Sequence, residues 1–513
     1  MIIERLNTHE YRGKWQYPDP LLIKPDMIPN NGGNNINGPS LIKVPEWVKN
    51  PLGKYYLYFS HHDGKYIRMA YSDNVEGPYT IYEPGTLKLT DTPGRDHIAS
   101  PDVHVDNDNQ QIIMYYHTPY EDWQYTFKST SKNGLNFISE KENLGMFYFR
   151  VFKWRGRTFS IAKNKNVSGI CYELINGKWI EQKTNFISNM RHAAVLVEND
   201  EVYVFYSIVG EAPESIYSSK ININNNWELS NTTKILEPKY NYEGCDLPLK
   251  PSSFGSGIGN ELRDPCIYKE NNDKYLLYTV AGEAGIALSK IHLTNNLISY
   301  DIWGMRRVGN HAITEWISAH FNKTIHNNDI INGRPWVTKT YGEGNKVDLL
   351  INSYEDFCPK EEDIKPNTII LLRDWYNVSA SRLVSGRGWD NSCRYYNQYG
   401  YNKSCIEVYL EYCKLWEKYP DNFILYNKWC EDEEYQKLIE KRYGWGRVPK
   451  QDSLPQSGIG EGSSFNQEVA QKLSPNERYI ELYNNYPNDW VKICSYPQIN
   501  EYSERIFGIS VTQ

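Results

Sequence analysis

The 513-residue sequence has no apolar run long enough to cross a bilayer, and its start, MIIERLNTHEYRGKW, lacks the apolar stretch of a signal peptide. No membrane span is expected, and the expected compartment is the cytoplasm. An excess of basic residues is missing too: 56 Lys and Arg stand against 63 Asp and Glu, a net charge of −7. Nonspecific nucleic-acid binding needs a basic footprint to displace counterions, so nucleic acid is not expected as a partner. The nine cysteines include no C-x-x-C pair, and an odd count spread over a large chain indicates neither a disulfide framework nor a standard zinc site. Cys393, Cys405, Cys413 and Cys430 fall in one region at spacings that fit no metal pattern, and no metal is expected.

Aromatic side chains are abundant instead. The 42 Tyr and 15 Trp favour strands, because rings fit a pleated half-buried surface, and they offer stacking platforms for sugar or nucleobase rings. A hydrophobic share of 40% and a charged share of 23% are those of a globular chain and exclude a long disordered or collagen-like one. The length exceeds what one core normally serves, so two or more domains are expected.

A short strand rich in Tyr and Phe recurs as KYYLYFS (54–60), QIIMYYHT (111–118), VYVFYSI (202–208) and KYLLYTV (274–280), with RTFSIAK (157–163) as a weaker copy. Each follows a strand that begins near a polar residue and a Pro or Arg: NGPSLIKV (37–44), IASPDVHV (98–105), MFYFRVFK (146–153), RHAAVLVE (191–198) and LRDPCIYK (262–269). A third strand with a small polar centre often comes next, as in GIALSKI (285–291). Five copies at a spacing of roughly fifty residues predict an all-β five-bladed propeller over residues 1–296; an up-and-down barrel explains the three-strand repeat less well.

In a propeller the first strand of each blade lines the axis, so the polar groups near those strand starts should converge on one mouth. They are Asn37 with Ser40, Asp102, Arg150, Arg191 with His192, and Arg263 with Asp264. His61, His62, His117, Glu211 and Glu283 would form the next ring. Carboxylates, guanidinium groups and imidazoles among aromatic rings suit a sugar, whose hydroxyls need donors and acceptors and whose faces stack.

Residues 27 to 295 resemble the five-bladed propeller of glycoside hydrolase families 32 and 43. SPD at 100–102 resembles the second-blade motif whose Asp tunes the acid, and LRDP at 262–265 resembles the Arg-Asp-Pro motif that holds substrate hydroxyls. The resemblance implies a glycan substrate, with Asp102, Asp264 and Glu283 or Glu211 as candidate catalytic carboxylates. Asn37, Ser40, Arg150, Arg191, His192 and Arg263 are then candidate substrate contacts. Those families also place a catalytic Asp before Pro in the first blade, where this chain reads Asn37-Gly38-Pro39. Glycoside hydrolysis ordinarily needs two carboxyl groups flanking the scissile bond, so a hydrolase and a propeller that only binds glycan both stay open.

After residue 295 the repeat stops and longer helical patterns appear, such as HAITEWISAHF (311–321) and IEVYLEYCKLWEKY (406–419). A boundary near Asn295–Ser299 and a second domain over 297–513 follow. Strand SYDIWGM (299–305), loop RRVGN (306–310) and a helix opening at His311 make an anion cradle of backbone N–H groups and helix dipole. TIILLRDWYNVSASRL (368–383) puts Arg373 at a strand end and Ser381 eight positions later, where the two can share a phosphate; a surface pair of Arg373 with Asp374 is the alternative.

Together these segments resemble sulfotransferases that use 3′-phosphoadenosine 5′-phosphosulfate (PAPS), which implies an α/β three-layer, P-loop-like domain. RVGNH (307–311) falls on the phosphosulfate loop, with Arg307 in place of the usual Lys and Gly309, Asn310 and His311 beside it, while Arg373 and Ser381 fall on the 3′-phosphate. DLLINSYEDF (348–357) resembles the strand carrying the catalytic base, which implies Glu355 in that role with His311 as second candidate. GIGEGSSF (458–465) is the candidate closing segment. The expectation is transfer of sulfate from PAPS to a glycan hydroxyl, with a glycoside hydrolase and a glycan-binding attachment protein as alternatives. The sequence leaves the sugar and the oligomeric state open.

Overall fold

The structure, a computed structural model, describes residues 1–6, 10–11, 14–15, 20–29, 32–255, 257–331, 334–342, 346–384, 389, 403–446, 474 and 476–510. Cys393 and the segment 458–465 lie outside the described residues. The chain divides into two units, Met1–His292 and Leu293–Gln513, and the division falls inside one strand, Ile286–Gly304.

The N-terminal unit is a β-propeller. Four of its sheets stand alone and each is antiparallel in chain order. The first is Asn37–Lys43, Tyr55–Ser60, Tyr66–Ser72 and Thr80–Lys88. The second has Ala99–Asp106, Gln111–Tyr120 and Trp123–Ser131, with Ile138–Ser139 and Gly145–Met146 both pairing on its third strand. Arg150–Trp154, Arg157–Asn164, Ser168–Ile175 and Lys178–Lys183 make the third, and Met190–Glu198, Glu201–Ile208, Ile216–Asn222 and Glu228–Leu236 the fourth. Second strands are covered on both faces, so Tyr56, Leu57, Tyr58 and Phe59 are all fully buried in succession, whereas the outer strand ELSNTTKIL is mostly exposed.

The fifth copy of the repeat pairs in the same order, through Arg263–Glu270, Asp273–Thr279 and the first part of Ile286–Gly304. Its outer positions come from the start of the chain: Ile2–Arg5 and Leu21–Ile23 pair antiparallel on that third strand. Two side-chain contacts reinforce the seam, His292 Nε2 with Glu4 at 2.7 Å and the ion pair of Arg5 with the fully buried Glu243 at 2.7 Å. One expectation is corrected here. The strand foreseen at 146–153 begins only at Arg150, because Tyr148 turns left-handed at φ 65° and leaves Met146 on the preceding sheet.

A bulge sets the register of the repeat. Four residues on the first strand, Asn37 to Ser40, Ala99 to Asp102, Met190 to Ala193 and Arg263 to Cys266, oppose three on the second, Ser60 to Tyr58, His117 to Tyr115, Ile208 to Tyr206 and Thr279 to Leu277. In three copies the residue inside the bulge has positive φ and precedes Pro: Gly38 at 58°, Ser100 at 49° and Asp264 at 49°. Proline bars its predecessor from the right-handed helical region, which steers the chain into the bulge.

The C-terminal unit is α/β. Its sheet runs Arg334–Gly342, Lys323–Ile331, Lys346–Glu355, the later part of Ile286–Gly304, Thr368–Leu372 and Phe423–Leu425. All neighbours are parallel except the first pair, an antiparallel hairpin absent from the sequence-based expectations. The strand Thr368–Leu372 has Ile369, Ile370, Leu371 and Leu372 buried in a row, as a strand covered on both faces must. Described helices include Asn310–Ser318, Trp375–Val384 and Cys405–Lys418, the last opened by a capping box in which Ser404 and Glu407 satisfy each other's backbone N–H.

Candidate functional site

The bulge separates the candidate residues of the propeller into two levels, and this corrects the expected single mouth. Because it adds a residue, Asp102 aligns with Ser40 and Cys266, two positions past Ser100, whereas Asp264 aligns with Gly38 and Ser100. Ser40, Asp102 and Arg150 line an axial cavity of about 770 Å³ together with residues from the first strands of all five copies, including Ile42, Val195 and Ile267. Asn37, Arg191, His192, Arg263, Asp264 and Glu283 gather at the other level.

At the cavity level the polar groups latch neighbouring strands. Ser40 Oγ accepts from Val103 N–H at 2.9 Å, and Asp102 accepts from Val151 N–H and His104 Nε2, each at 2.8 Å. Burial alone would raise the Asp102 pKa, but His104, Arg150 and the Val151 N–H outweigh it and hold the carboxyl below its usual value. Arg150 Nη1 donates to the carbonyls of Pro101 and Phe149 at 3.2 Å. Asp102 is thus an ionised tie between copies two and three.

The upper level is a network of buried charges. Arg191 forks onto Glu214 with two bonds of 2.8 Å. Arg263 Nε donates to Glu261 at 2.6 Å, and its Nη1 reaches Glu283 at 3.2 Å. Glu283 also accepts from Asn37 Nδ2 at 3.1 Å and from Asn35. Both arginines hold the loop 252–255 in place, Arg191 at the carbonyl of Ser253 and Arg263 at that of Gly255.

Asp264 is fully buried, accepts the Gly38 N–H at 3.0 Å and lies against His192 Nδ1. Burial pushes its pKa up, yet His192, the Gly38 N–H and Arg263 push further down, and the carboxyl is held well below the usual range. Burial likewise lowers His192 and, far more, His117, so both imidazoles are neutral at pH 7. Tyr148 lies between them, its ring at right angles to His117 at 4.3 Å and tilted against His192 at 4.2 Å. Glu211 accepts the Tyr217 hydroxyl on Oε1 at 2.8 Å, while its Oε2 has no partner among the described residues. His62 Nδ1 lies 3.9 Å from Glu283, and His61 pairs with Asn34 at 3.0 Å.

Lys163 belongs to this level and was missed from the sequence. It is 4% exposed, and its Nζ lies 5.0 to 5.7 Å from the ring centres of Phe254, Phe147 and Tyr148. Burial, then Arg191, lowers its pKa to about 7, with Glu214 and Asp264 opposing. The available signal was position: Lys163 N–H bonds to the Phe147 carbonyl in the third copy, where Ser60, His117, Ile208 and Thr279 pair in the other four.

In the C-terminal unit the strand ending at Gly304, the loop 305–309 and the helix from Asn310 form at the expected place. Gly309 has φ 103°, and a Cβ there would lie 2.1 Å from the Tyr426 ring. Arg373 Nη1 donates to the Arg307 carbonyl at 3.3 Å and its guanidinium lies over the same ring at 5.1 Å. Arg373 and Asp374 are both buried, and Asn377 and Asn427 hold the Asp374 carboxylate, so the surface-pair alternative fails. Ser381 is buried on the helix Trp375–Val384.

Glu355 departs from its expected setting beside Arg307. Arg306 Nε binds it at 3.1 Å and Asn310 Nδ2 at 2.7 Å, which fixes it as a brace between loop and helix. Arg306 also pairs with Asp329, whose pKa burial pushes up to about 7, with Glu355 and Asp356 adding to the rise and Arg306 opposing it. Burial lowers the His311 pKa, with Glu355 opposing, leaving a neutral ring.

No family model matches the sequence. Among solved structures, a family 43 β-xylosidase/α-arabinofuranosidase from a compost microbial metagenome, in complex with xylotriose, aligns 93% of its chain with 53% of this one at 13% identity and a TM-score of 0.37. An α-L-arabinanase of Cellvibrio cellulosa aligns 93% of its chain with 51% of this one at 10% identity and a TM-score of 0.37. A protein described with the GH130 family of mannoside phosphorylases aligns 84% of its chain with 50% of this one at 9% identity and a TM-score of 0.38. In sequence, the chain is 32% identical over 300 residues to Uncharacterized protein R118 of Acanthamoeba polyphaga mimivirus, an alignment covering 50% of this chain and 83% of that protein. The chain belongs to the family of that mimivirus protein.

Proposed function

We propose that the N-terminal unit is a five-bladed propeller that takes a glycan at the Asp264 end of its axis and cleaves a glycosidic bond there. The observation that carries this reading is the Asp264 carboxylate lying against the N–H of Gly38, which supplies from the fifth copy the carboxylate that the first copy lacks. Five blades are supported by the same contact, by the bond of Ile36 N–H to the Glu283 carbonyl and by the Lys43–Glu270 pair at 2.5 Å, all of which join the fifth copy to the first. An ionised carboxylate is what removing a proton from the attacking water requires. Glu211, with one oxygen unpartnered, is assigned as the acid: its proton passes to the leaving oxygen as the C1–O bond breaks, water adds to C1, and the water proton goes to Asp264.

The test is release of reducing ends from a panel of plant and fungal polysaccharides. Asp264→Asn and Glu211→Gln should each lower the rate by about a hundredfold or more while glycan binding persists. Binding without any release by the wild-type protein would leave a glycan-binding propeller in place of an enzyme.

A second reading concerns the C-terminal unit. The loop 305–309 leaves the carboxyl end of a central parallel strand that has parallel neighbours on both sides, the edge at which α/β sheets take ligands. This supports a sulfonucleotide there, bound by Arg307, Gly309, Asn310 and His311 with Arg373 and Ser381 on its 3′-phosphate. Sulfate transfer to a glycan hydroxyl would need a base other than the braced Glu355. Calorimetric titration of 3′-phosphoadenosine 5′-phosphate into the protein and into an Arg373→Ala, Ser381→Ala variant decides it: binding lost in the variant supports the site, and no binding by the folded wild type ends the reading.

A further inference from the structure

Lys163 is a cation that the propeller does not neutralise by contact. The neighbours of its ammonium are three aromatic rings, and the ammonium makes no hydrogen bond or ion pair with any described residue. The carboxylates around it are already engaged: Glu214 by Arg191, Glu261 and Glu283 by Arg263, Asp264 by His192 and the Gly38 N–H. A buried charge without a partner is costly, and a ligand that supplies the partner recovers that cost. A neutral sugar can offer only hydroxyls, whose bonds to an ammonium are weaker than that of a carboxylate. The rings beside Lys163 suit a sugar face, so the anion and the stacking surface belong on one ligand.

We infer that Lys163 selects an acidic sugar, its ammonium pairing with the carboxylate of a uronic acid residue stacked against Phe254 and Tyr148. This rests on the proposed glycan site and names its substrate class. Discrimination comes from the empty protein as much as from the complex, because a neutral glycan of the same shape would seal the ammonium away from water with no counter-charge. Pairing also favours the charged amine, so above pH 7 the binding of an acidic sugar takes up a proton, since there the free amine is largely neutral.

The experiment is calorimetric titration of the full chain with oligomers of galacturonic and glucuronic acid and with the matching galactose and glucose oligomers, at pH 6 and pH 9. Wild type should prefer an acidic oligomer over its neutral counterpart by at least about tenfold at pH 6 and by less at pH 9. Lys163→Met should lose the preference, the affinity for the acidic oligomer falling and that for the neutral oligomer rising. Lys163→Arg should keep the preference at both pH values, because a guanidinium stays charged. Equal binding of acidic and neutral oligomers by wild type, or a preference that survives in Lys163→Met, would overturn the inference and leave the proposed glycan site standing. A folded wild type that binds no oligomer would overturn both.

Discussion

The carboxylate of Asp264, in the last copy of the propeller repeat, accepts the backbone N–H of Gly38 in the first, so one hydrogen bond joins residues 226 positions apart and closes the circle of inner strands. The same carboxylate touches His192 of the fourth copy. It therefore holds the fold together, and its substitution should register in stability before any substrate is known.

A carboxyl whose folded pKa is depressed contributes stability that is complete above its unfolded value of about 4 and is lost as pH falls below it. Urea unfolding of wild type should therefore weaken from pH 4 to pH 2 more steeply than that of Asp264→Asn. At pH 7 the variant should be less stable by roughly 1–3 kcal/mol, the cost of disturbing a buried charged hydrogen bond.

Glu214 and Arg191 form a buried fork-to-fork pair. Glu214→Ala strands the guanidinium and should cost roughly 3–5 kcal/mol, whereas a double Arg191→Met, Glu214→Leu variant should recover most of that loss. Chemical denaturation of the three proteins measures it; a double variant no better than the single would show that the pair is worth more than its replacement.

Lys163 has a pH dependence of the same sign in a higher window, although here it is the charged form that destabilises the fold. Its pKa is about 7 folded and about 10.4 unfolded, so between those values the unfolded chain binds the extra proton and folding gains stability as pH rises. Lys163→Met should accordingly be more stable than wild type at pH 7, and the difference should shrink by pH 10.

Gly309→Ala meets both a left-handed backbone and the Tyr426 ring. It should destabilise the C-terminal unit by roughly 2–4 kcal/mol. Near-ultraviolet circular dichroism during thermal unfolding reads it; an unchanged transition would mean that Tyr426 moves aside freely.

The strands of the propeller were legible because the same aromatic-rich segment recurs along the chain: KYYLYFS and VYVFYSI sit within a residue of Tyr55–Ser60 and Glu201–Ile208. What could not be read was depth along the axis. Asp102 follows its Pro and Asp264 precedes its own, but only the bulge shows that this offset puts the first in the cavity level and the second at the other end. Lys163 stayed hidden because its counterparts in the other copies, Ser60, His117, Ile208 and Thr279, share no chemistry, so alignment of the repeat gives it no weight. In the C-terminal unit the loop and helix start were legible from RRVGN, but two adjacent arginines cannot be told apart by spacing. Backbone geometry decided that Arg306 braces Glu355 while the Arg307 carbonyl meets Arg373.

The seam formed by Ile2–Arg5 on the strand from Ile286 has a consequence for biosynthesis. The segment Ile2–Arg5 cannot take its place until nearly three hundred residues made after it have followed. Until then the earlier blades must form with the circle open, and the segment Ile2–Arg5 must stay unpaired in the meantime. Ring closure is thus the most nonlocal step of the fold and, since joining distant segments is slow, the step expected to limit its rate. A protein lacking Ile2–Arg5 would be impaired at that last step, after four sheets had already assembled.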